Sequence, residues 1–117
     1  MVKTIFGEMK REELKKLPKE ERELIKIQPF DPKAFSIGRK IFNKFYRFEG
    51  NLSKNNFNPS VIKKEVDKVD EKELKALEAC KVDYLLDKII SKGDYKTFRI
   101  GMINIFICLG KNYEKLV

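Results

Sequence analysis

The sequence predicts an all-α fold, a small bundle of four or five helices, and three observations favour it. Charged residues make up 38% of the 117 residues, while there are only six Gly and four Pro, a balance that favours helices. Helix start signals recur along the chain. No stretch alternates apolar and polar residues with the period of a strand, although residues 98–110 (FRIGMINIFICLG) are the one run in which a buried strand competes.

The first half of the chain contains one strong helix start. We predict a single domain over residues 1–117, in which residues 1–30 form a weakly packed polar N-terminal arm. Asp31 is an N-cap followed by Pro32 at the first helical position, so a helix over residues 32–48 is expected to end at Gly50. Asn58 and Pro59 repeat this signal and predict a shorter helix.

Two longer helices are predicted in the second half. Asp70 and Glu73 form a capping box that begins a helix over residues 71–91, which Gly93 ends. Asp94 caps a last helix with a break at Gly110. This last helix is apolar on all sides, and a chain of this length has little material to cover it, so we expect self-association or a permanent partner.

Several classes of protein are disfavoured. Cys80 and Cys108 lie in apolar stretches without CxxC spacing, and there is no His, so we expect free buried thiols and no metal site. Asp83 and Asp87 are interpreted as a solvated or ion-paired strip, because two carboxylates alone rarely fix a cation. Without a phosphate loop, a nucleophile motif or a placed carboxylate pair, we expect no enzyme, no catalytic residue and no cofactor.

The first residues reach charged side chains too quickly for a signal peptide, so we expect none, and the longest apolar run, residues 98–109, is too short to span a bilayer. The sequence therefore predicts a soluble, cytoplasmic protein without a membrane partner. The formal net charge is +8, and residues 32–60 hold six cations against one anion. A local excess of this kind attracts polyanions such as nucleic acid.

The helix over residues 32–48 concentrates this charge. One half of its wheel is apolar, and the other half contains no carboxylate. That second half consists of Lys33, Ser36, Arg39, Lys40, Asn43, Lys44 and Arg47. Residues four apart rise about 6 Å, close to the spacing of successive phosphates along a strand. Two interpretations stay open: a face that follows a phosphate backbone, or a solvated face paired with acidic residues 65–78.

Other residues could extend this face. Lys81 and Lys88 are equally consistent with an extension of the basic face or with pairing to Glu78. Tyr46 and Phe57 could stack on bases, but aromatic residues at such positions are more often part of the core.

Three stretches resemble the small helical subunit of type III-A CRISPR effector complexes, the Csm small subunit. The first is FSIGRKIFNKFYRFEGN, with Arg39, Asn43 and Arg47. The second is LKALEACKVDYLLDK, with Lys81 followed by Val82 and Tyr84, and the third is INIFICLGKNYEK, with Lys111 and Tyr113. Together they cover roughly residues 34–115, and the small subunit of type III-B (Cmr) complexes is a close rival.

The resemblance implies a non-catalytic subunit of a ribonucleoprotein complex in antiviral defence. Such a subunit contacts the backbones of guide and target RNA and associates with other effector-complex subunits. The candidate RNA-binding residues are Lys33, Arg39, Lys40, Asn43, Lys44, Arg47, Lys54, Lys81 and Lys88. The alternative is a helical protein-interaction or oligomerisation module that uses the apolar C-terminal helix. A DNA-binding helix-turn-helix protein is a third possibility, and the residues alone do not distinguish RNA from DNA.

Overall fold

In the computed structural model, which describes residues 1–116, the chain forms an α+β fold with six helices and two antiparallel two-stranded sheets. The all-α prediction is therefore wrong. The elements in chain order are β1 (Val2–Thr4), β2 (Gly7–Met9), α1 (Arg11–Lys15), α2 (Lys19–Ile25), α3 (Pro32–Phe45), β3 (Tyr46–Ser53), β4 (Asn56–Lys63), α4 (Glu71–Ala79), α5 (Val82–Ser91) and α6 (Tyr95–Leu116).

The largest departure from the prediction is the hairpin of β3 and β4. Helix α3 ends at Phe45 rather than near residue 48, and the predicted short helix after Pro59 is part of β4. The register pairs Tyr46 with Lys63 and Ser53 with Asn56. From Tyr46 onward, inward aromatic residues alternate with outward polar residues, which is the strand period. Over so few residues, the same aromatic side chains also fit the apolar half of a helical wheel, so the helix was predicted too long.

The predicted helix over residues 71–91 is divided in two. Lys81 lies between α4 and α5 with a left-handed φ of 47°, so the chain turns there. The predicted caps are confirmed: Asp70 Oδ1 accepts a hydrogen bond from the Lys72 amide at 2.8 Å, and Asp94 Oδ1 accepts one from the Lys96 amide at 3.0 Å. The predicted break at Gly110 is wrong, because α6 continues to Leu116.

Helices α3 and α6 cross in antiparallel directions at very short range. A Cβ atom on Gly38 would collide with the backbone carbonyl of Phe106, and one on Gly110 would collide with the backbone carbonyl of Ala34. Only glycine permits two backbones to approach this closely. The two glycines therefore set the distance between the helices at both ends of the crossing.

The core lies between α3 and the faces of α4, α5 and α6, and Phe42 is at its centre. The Phe42 ring stacks on Tyr46 with centroids 4.9 Å apart, and it contacts Phe48 and Phe106, each at 5.5 Å. Through these contacts the same cluster packs the start of the hairpin against α6. The hairpin is therefore anchored at its start by these contacts, and close to its turn by Phe57, whose ring centroid lies 5.0 Å from that of Phe98.

Helix α6 is covered by its own chain. Its buried residues are Phe98, Gly101, Met102, Asn104, Ile105, Ile107, Cys108, Leu109 and Gly110. Contacts with α2, α3, α4 and α5 enclose them. The uncovered apolar surface that suggested self-association is thus largely buried within the chain. Among the helices that the structure describes, none is both long and apolar enough to cross a membrane.

The N-terminal arm packs against α6 through a buried amide. The Asn104 side chain donates hydrogen bonds to the carbonyl oxygens of Leu24 at 3.1 Å and Lys26 at 2.9 Å, and it accepts one from the Gln28 amide at 3.0 Å. The arm also contributes Ile5, Leu14 and Ile25 to the buried core. A buried amide needs such partners, so Asn104 fixes where the arm lies.

The prediction of free thiols is wrong. Cys80 at the end of α4 and Cys108 in α6 form a disulfide, with their Cα atoms 6.1 Å apart. The Asn112 amide nitrogen lies 3.3 Å from the Cys80 sulfur and 3.4 Å from the Cys108 sulfur. Two cysteines that are 28 residues apart in sequence give no sequence signal of pairing unless the arrangement of α4 against α6 is known.

We expect Gly110→Ala to lower the free energy of unfolding by about 2 kcal/mol or more, because overpacking the helix crossing outweighs the roughly 1 kcal/mol gained in helix propensity. Urea unfolding measures this. Gly93→Ala is the control: its Cβ would meet no atom within 4 Å, so only the strain at positive φ remains, about 1 kcal/mol. Equal losses in the two variants would contradict the close crossing.

Reduction of the disulfide should destabilise the protein by about 3–4 kcal/mol, since an unfolded loop of this length loses that much closure entropy when it is crosslinked. Thermal unfolding with and without a phosphine reductant measures the change. Cys80→Ala serves as the control and should show no response to the reductant. Two free thiols found by titration in the untreated, unfolded protein would refute the pairing.

Candidate nucleic-acid interface

The candidate interface is the solvent half of α3, which we term the α3 basic face. It consists of Lys33, Ser36, Arg39, Lys40, Asn43 and Lys44, all of which are exposed. Asp31 Oδ1 starts the helix by accepting hydrogen bonds from the Lys33 amide at 3.1 Å and the Ala34 amide at 3.2 Å. Because the opposite half packs on α6, these six side chains must point to solvent.

Most cations of the α3 basic face are not neutralised by the fold. Within residues 1–116, Lys33, Arg39 and Lys40 have no carboxylate within 4.0 Å. Lys44 is the exception, since its ammonium lies 2.7 Å from the Glu73 carboxylate. That hydrogen bond raises the pKa of Lys44. The predicted pairing of this helix with acidic residues 65–78 therefore occurs at one position, next to the end of the helix.

Lys33, Lys40 and Lys44 form one line along the helix. At 100° per residue they fall within about 40° of each other, and they rise about 10 Å and then about 6 Å. Arg39 and Asn43 form a second line beside them, one turn apart. The face is thus a straight strip of positive charge with neutral polar side chains between its cations.

Arg47 does not continue the predicted ladder of Arg39 and Asn43. It lies in β3, on the outward face of the hairpin, and pairs with Glu49 at 2.9 Å. Both side chains are at least half exposed, and such surface pairs contribute about 0–1 kcal/mol. Arg47 remains close to the end of α3, but its guanidinium belongs to a different surface.

Lys54 and Lys88 lie away from the α3 basic face. Lys54 is in the two-residue turn between β3 and β4, roughly 30 Å along the hairpin from the end of α3 at about 3.4 Å per residue. Lys88 lies on α5 with its ammonium 5.5 Å from the centre of the Tyr84 ring. It lines a cleft together with Glu8, Glu13 and Glu21 of the N-terminal arm, so its surroundings are acidic.

Of the two interpretations left open for Lys81, the structure favours an ion pair, although with a different partner. Its ammonium lies 3.2 Å from the carboxylate of Glu20 rather than that of Glu78. Lys81 and Tyr46 line one cleft near the end of α3, with a volume of about 400 Å³. Lys81 therefore lies near the end of α3 but is not part of the α3 basic face.

Neither candidate aromatic residue is free to stack on a base. Tyr46 is only 4% exposed, and its hydroxyl donates a hydrogen bond to Asp83 Oδ1 at 2.6 Å. Burial and this bond raise the pKa of Tyr46, while the bond lowers the pKa of Asp83. Phe57 packs on Phe98 with ring centroids 5.0 Å apart. Tyr46 is a core residue and Phe57 is half-buried against the core.

The carboxylate of Asp83 is also paired with Lys63 at 3.0 Å, in agreement with the ion-paired interpretation. The residues that the structure describes contain no group of three or more His, Cys, Asp or Glu side chains placed to hold a metal ion. The arrangement around Asp83 is best described as a link between the hairpin and α5.

One cation near the face was missed. The Lys64 ammonium donates a hydrogen bond to the backbone carbonyl of Asn43, where the unsatisfied carbonyls at the end of α3 favour a positive charge. Lys64 follows β4, so only the hairpin register brings it to this position. No pattern in the sequence places residue 64 beside residue 43.

No family model, curated protein or solved structure matches this chain. The six residues of the α3 basic face offer exposed cations and neutral hydrogen-bonding side chains, and they include no aromatic or acidic group suited to base recognition or proton transfer.

Proposed function

We propose that this chain binds the phosphate backbone of single-stranded RNA along the α3 basic face, without reading base sequence and without catalysis. The observation that supports the proposal is the set of three exposed cations, Lys33, Arg39 and Lys40, with no carboxylate of residues 1–116 within ion-pair distance. Lys33 and Lys40 lie on one line along the helix and Arg39 lies beside it, so the three cations are placed to contact phosphates of one backbone.

The repulsion between the cations of α3 is small. Only Lys40 and Lys44 are spaced four residues apart, which costs a few tenths of a kcal/mol, and the ion pair of Lys44 with Glu73 offsets it. The support for a ligand is therefore the donor chemistry of the unpaired cations: Arg39 could donate paired hydrogen bonds to one phosphate while Lys33 and Lys40 act as point charges.

The resemblance to the small subunit of type III CRISPR effector complexes extends the proposal to a biological setting. In that setting the chain would be a cytoplasmic subunit that lies along guide and target RNA beside other subunits. The resemblance implies an all-helical fold, and for this chain that expectation is wrong. The hairpin of β3 and β4 lies within the residues that resemble the family. The proposal therefore depends on the α3 basic face, and the setting depends on the resemblance.

The alternative hypothesis, a protein-interaction module, required an exposed apolar surface on α6. That surface is enclosed by α2, α3, α4 and α5, so no observation favours the alternative. Self-association stays a prediction, which light scattering would test directly.

The double variant Arg39→Gln/Lys40→Gln should weaken binding to a 20-nucleotide single-stranded RNA, measured by fluorescence anisotropy over a salt series. Each lost phosphate contact reduces the slope of log K against log salt by about 0.7 for a single strand. We expect a slope reduced by roughly 1.4, with the same loss for RNAs of unrelated sequence.

The matched control is Lys96→Gln/Arg99→Gln, which removes one lysine and one arginine from exposed positions on α6. It lowers the net charge equally, so it corrects for general attraction. If the control weakens RNA binding as much as the α3 variant, or if the α3 variant keeps its salt slope, binding does not occur along the α3 basic face. A strong dependence on base sequence would also reject the proposal.

A further inference from the structure

A second cationic site lies in the N-terminal arm, away from α3. It is a surface cleft of about 430 Å³ between β1, α1, α2 and the residue that follows α2. Its lining residues are Val2, Arg11, Leu14, Lys15, Arg22 and Lys26. Four of the six are cationic and two are apolar, so no carboxylate lines this cleft.

The lack of acidic lining is notable because α1 and α2 are rich in glutamate. Glu13 and Glu21 line the separate cleft that contains Lys88, while Glu20 and Glu23 line a cleft beside Cys108. Glu12 lines none of these clefts. Lys26 lines both the cationic cleft and the cleft of Glu20 and Glu23, while Arg11, Lys15 and Arg22 line the cationic cleft alone.

The four cations also lack partners within the fold. None of Arg11, Lys15, Arg22 and Lys26 has a carboxylate of residues 1–116 within 4.0 Å. Arg11 and Lys15 are four residues apart on α1, so they occupy the same face and repel each other. Four cations around one concave surface concentrate the field inside it.

Arg22 adds a fourth charge and a local reporter to this field. Its Nε atom is buried, and among the described residues it has no hydrogen-bond partner. Because a buried atom is out of reach of a molecule in the cleft, an anion there would meet the charge of the guanidinium rather than Nε itself. The Nε–H group nevertheless lies in a residue that lines the cleft, so its NMR signal should respond to a bound anion.

We propose that this cleft binds a phosphate group, which is neutralised by Arg11, Lys15, Arg22 and Lys26. The cleft falls within the usual range of ligand sites, roughly 300–1,000 Å³, so it has room for the remainder of a phosphate-bearing molecule. Val2 and Leu14 supply the apolar wall. The site shares no residue with the α3 basic face, so it does not depend on the proposed function.

The side-chain Nε–H signal of Arg22 in ¹H–¹⁵N NMR spectra tests the site. Titration with sodium phosphate, at an ionic strength held constant with sodium chloride, should shift this signal in a saturable manner. Arg22→Lys, which keeps the charge but lacks Nε–H, assigns the signal by its disappearance. Lys26→Gln should weaken phosphate binding about tenfold, as expected for one lost charge-assisted contact.

Lys19→Gln is the matched control, because Lys19 is an exposed residue of α2 outside the cleft. It should change the dissociation constant less than about twofold. A second titration uses a 12-nucleotide RNA with the Arg39→Gln/Lys40→Gln protein. A saturable shift with RNA identifies the ligand as a nucleic-acid phosphate, and a shift with phosphate alone identifies a small phosphate-bearing molecule.

Two results would overturn the proposal. The first is a signal that neither inorganic phosphate nor RNA moves in a saturable way, which would mean that no phosphate binds beside Arg22. The second is an equal loss of affinity in Lys19→Gln and Lys26→Gln, which would reduce the effect to net charge. Neither result would alter the test of the α3 basic face, since that test uses other residues.

Discussion

The close antiparallel contact of α3 with α6 is the constraint on which the rest of the structure depends. Gly38 and Gly110 let the two backbones touch, and this brings Phe42 against Phe106 and the start of the hairpin. Because one half of α3 is buried in this contact, the other half must face water. The α3 basic face is therefore a consequence of packing on α6, and its charge is what the sequence adds to that geometry.

The elements that the sequence predicted well are those governed by local chemistry. Asp31, Asp70 and Asp94 each accept the backbone hydrogen bonds expected of an N-cap, since a cap is decided by a few neighbouring residues. The hairpin was not predicted, because its strands are stabilised by pairing across the turn and by contacts with Phe42 and Phe98. Local propensity is often overridden by such tertiary contacts.

The candidate site follows the same rule: its residues within one helix were predictable, and those that depend on tertiary contacts were not. Charge and helical period identified Lys33, Arg39 and Lys40, because all three lie within one helix. Arg47 was assigned to the same helix because that helix was predicted to extend to residue 48, whereas it ends at Phe45. Neither Lys64 nor the cationic cleft of the N-terminal arm follows from sequence spacing, since both require knowledge of which distant segments pack together. The disulfide between α4 and α6 was missed for the same physical reason.

The central claim is that packing on α6 leaves the cationic half of α3 free to lie along RNA. Limited acetylation of lysines, quantified by mass spectrometry with and without saturating RNA, tests it most directly. The account predicts that RNA protects Lys33 and Lys40, while Lys54 and Lys88 keep the reactivity of the free protein. Unchanged acetylation of Lys33 and Lys40 in the RNA-bound protein, or protection confined to Lys54 and Lys88, would contradict it.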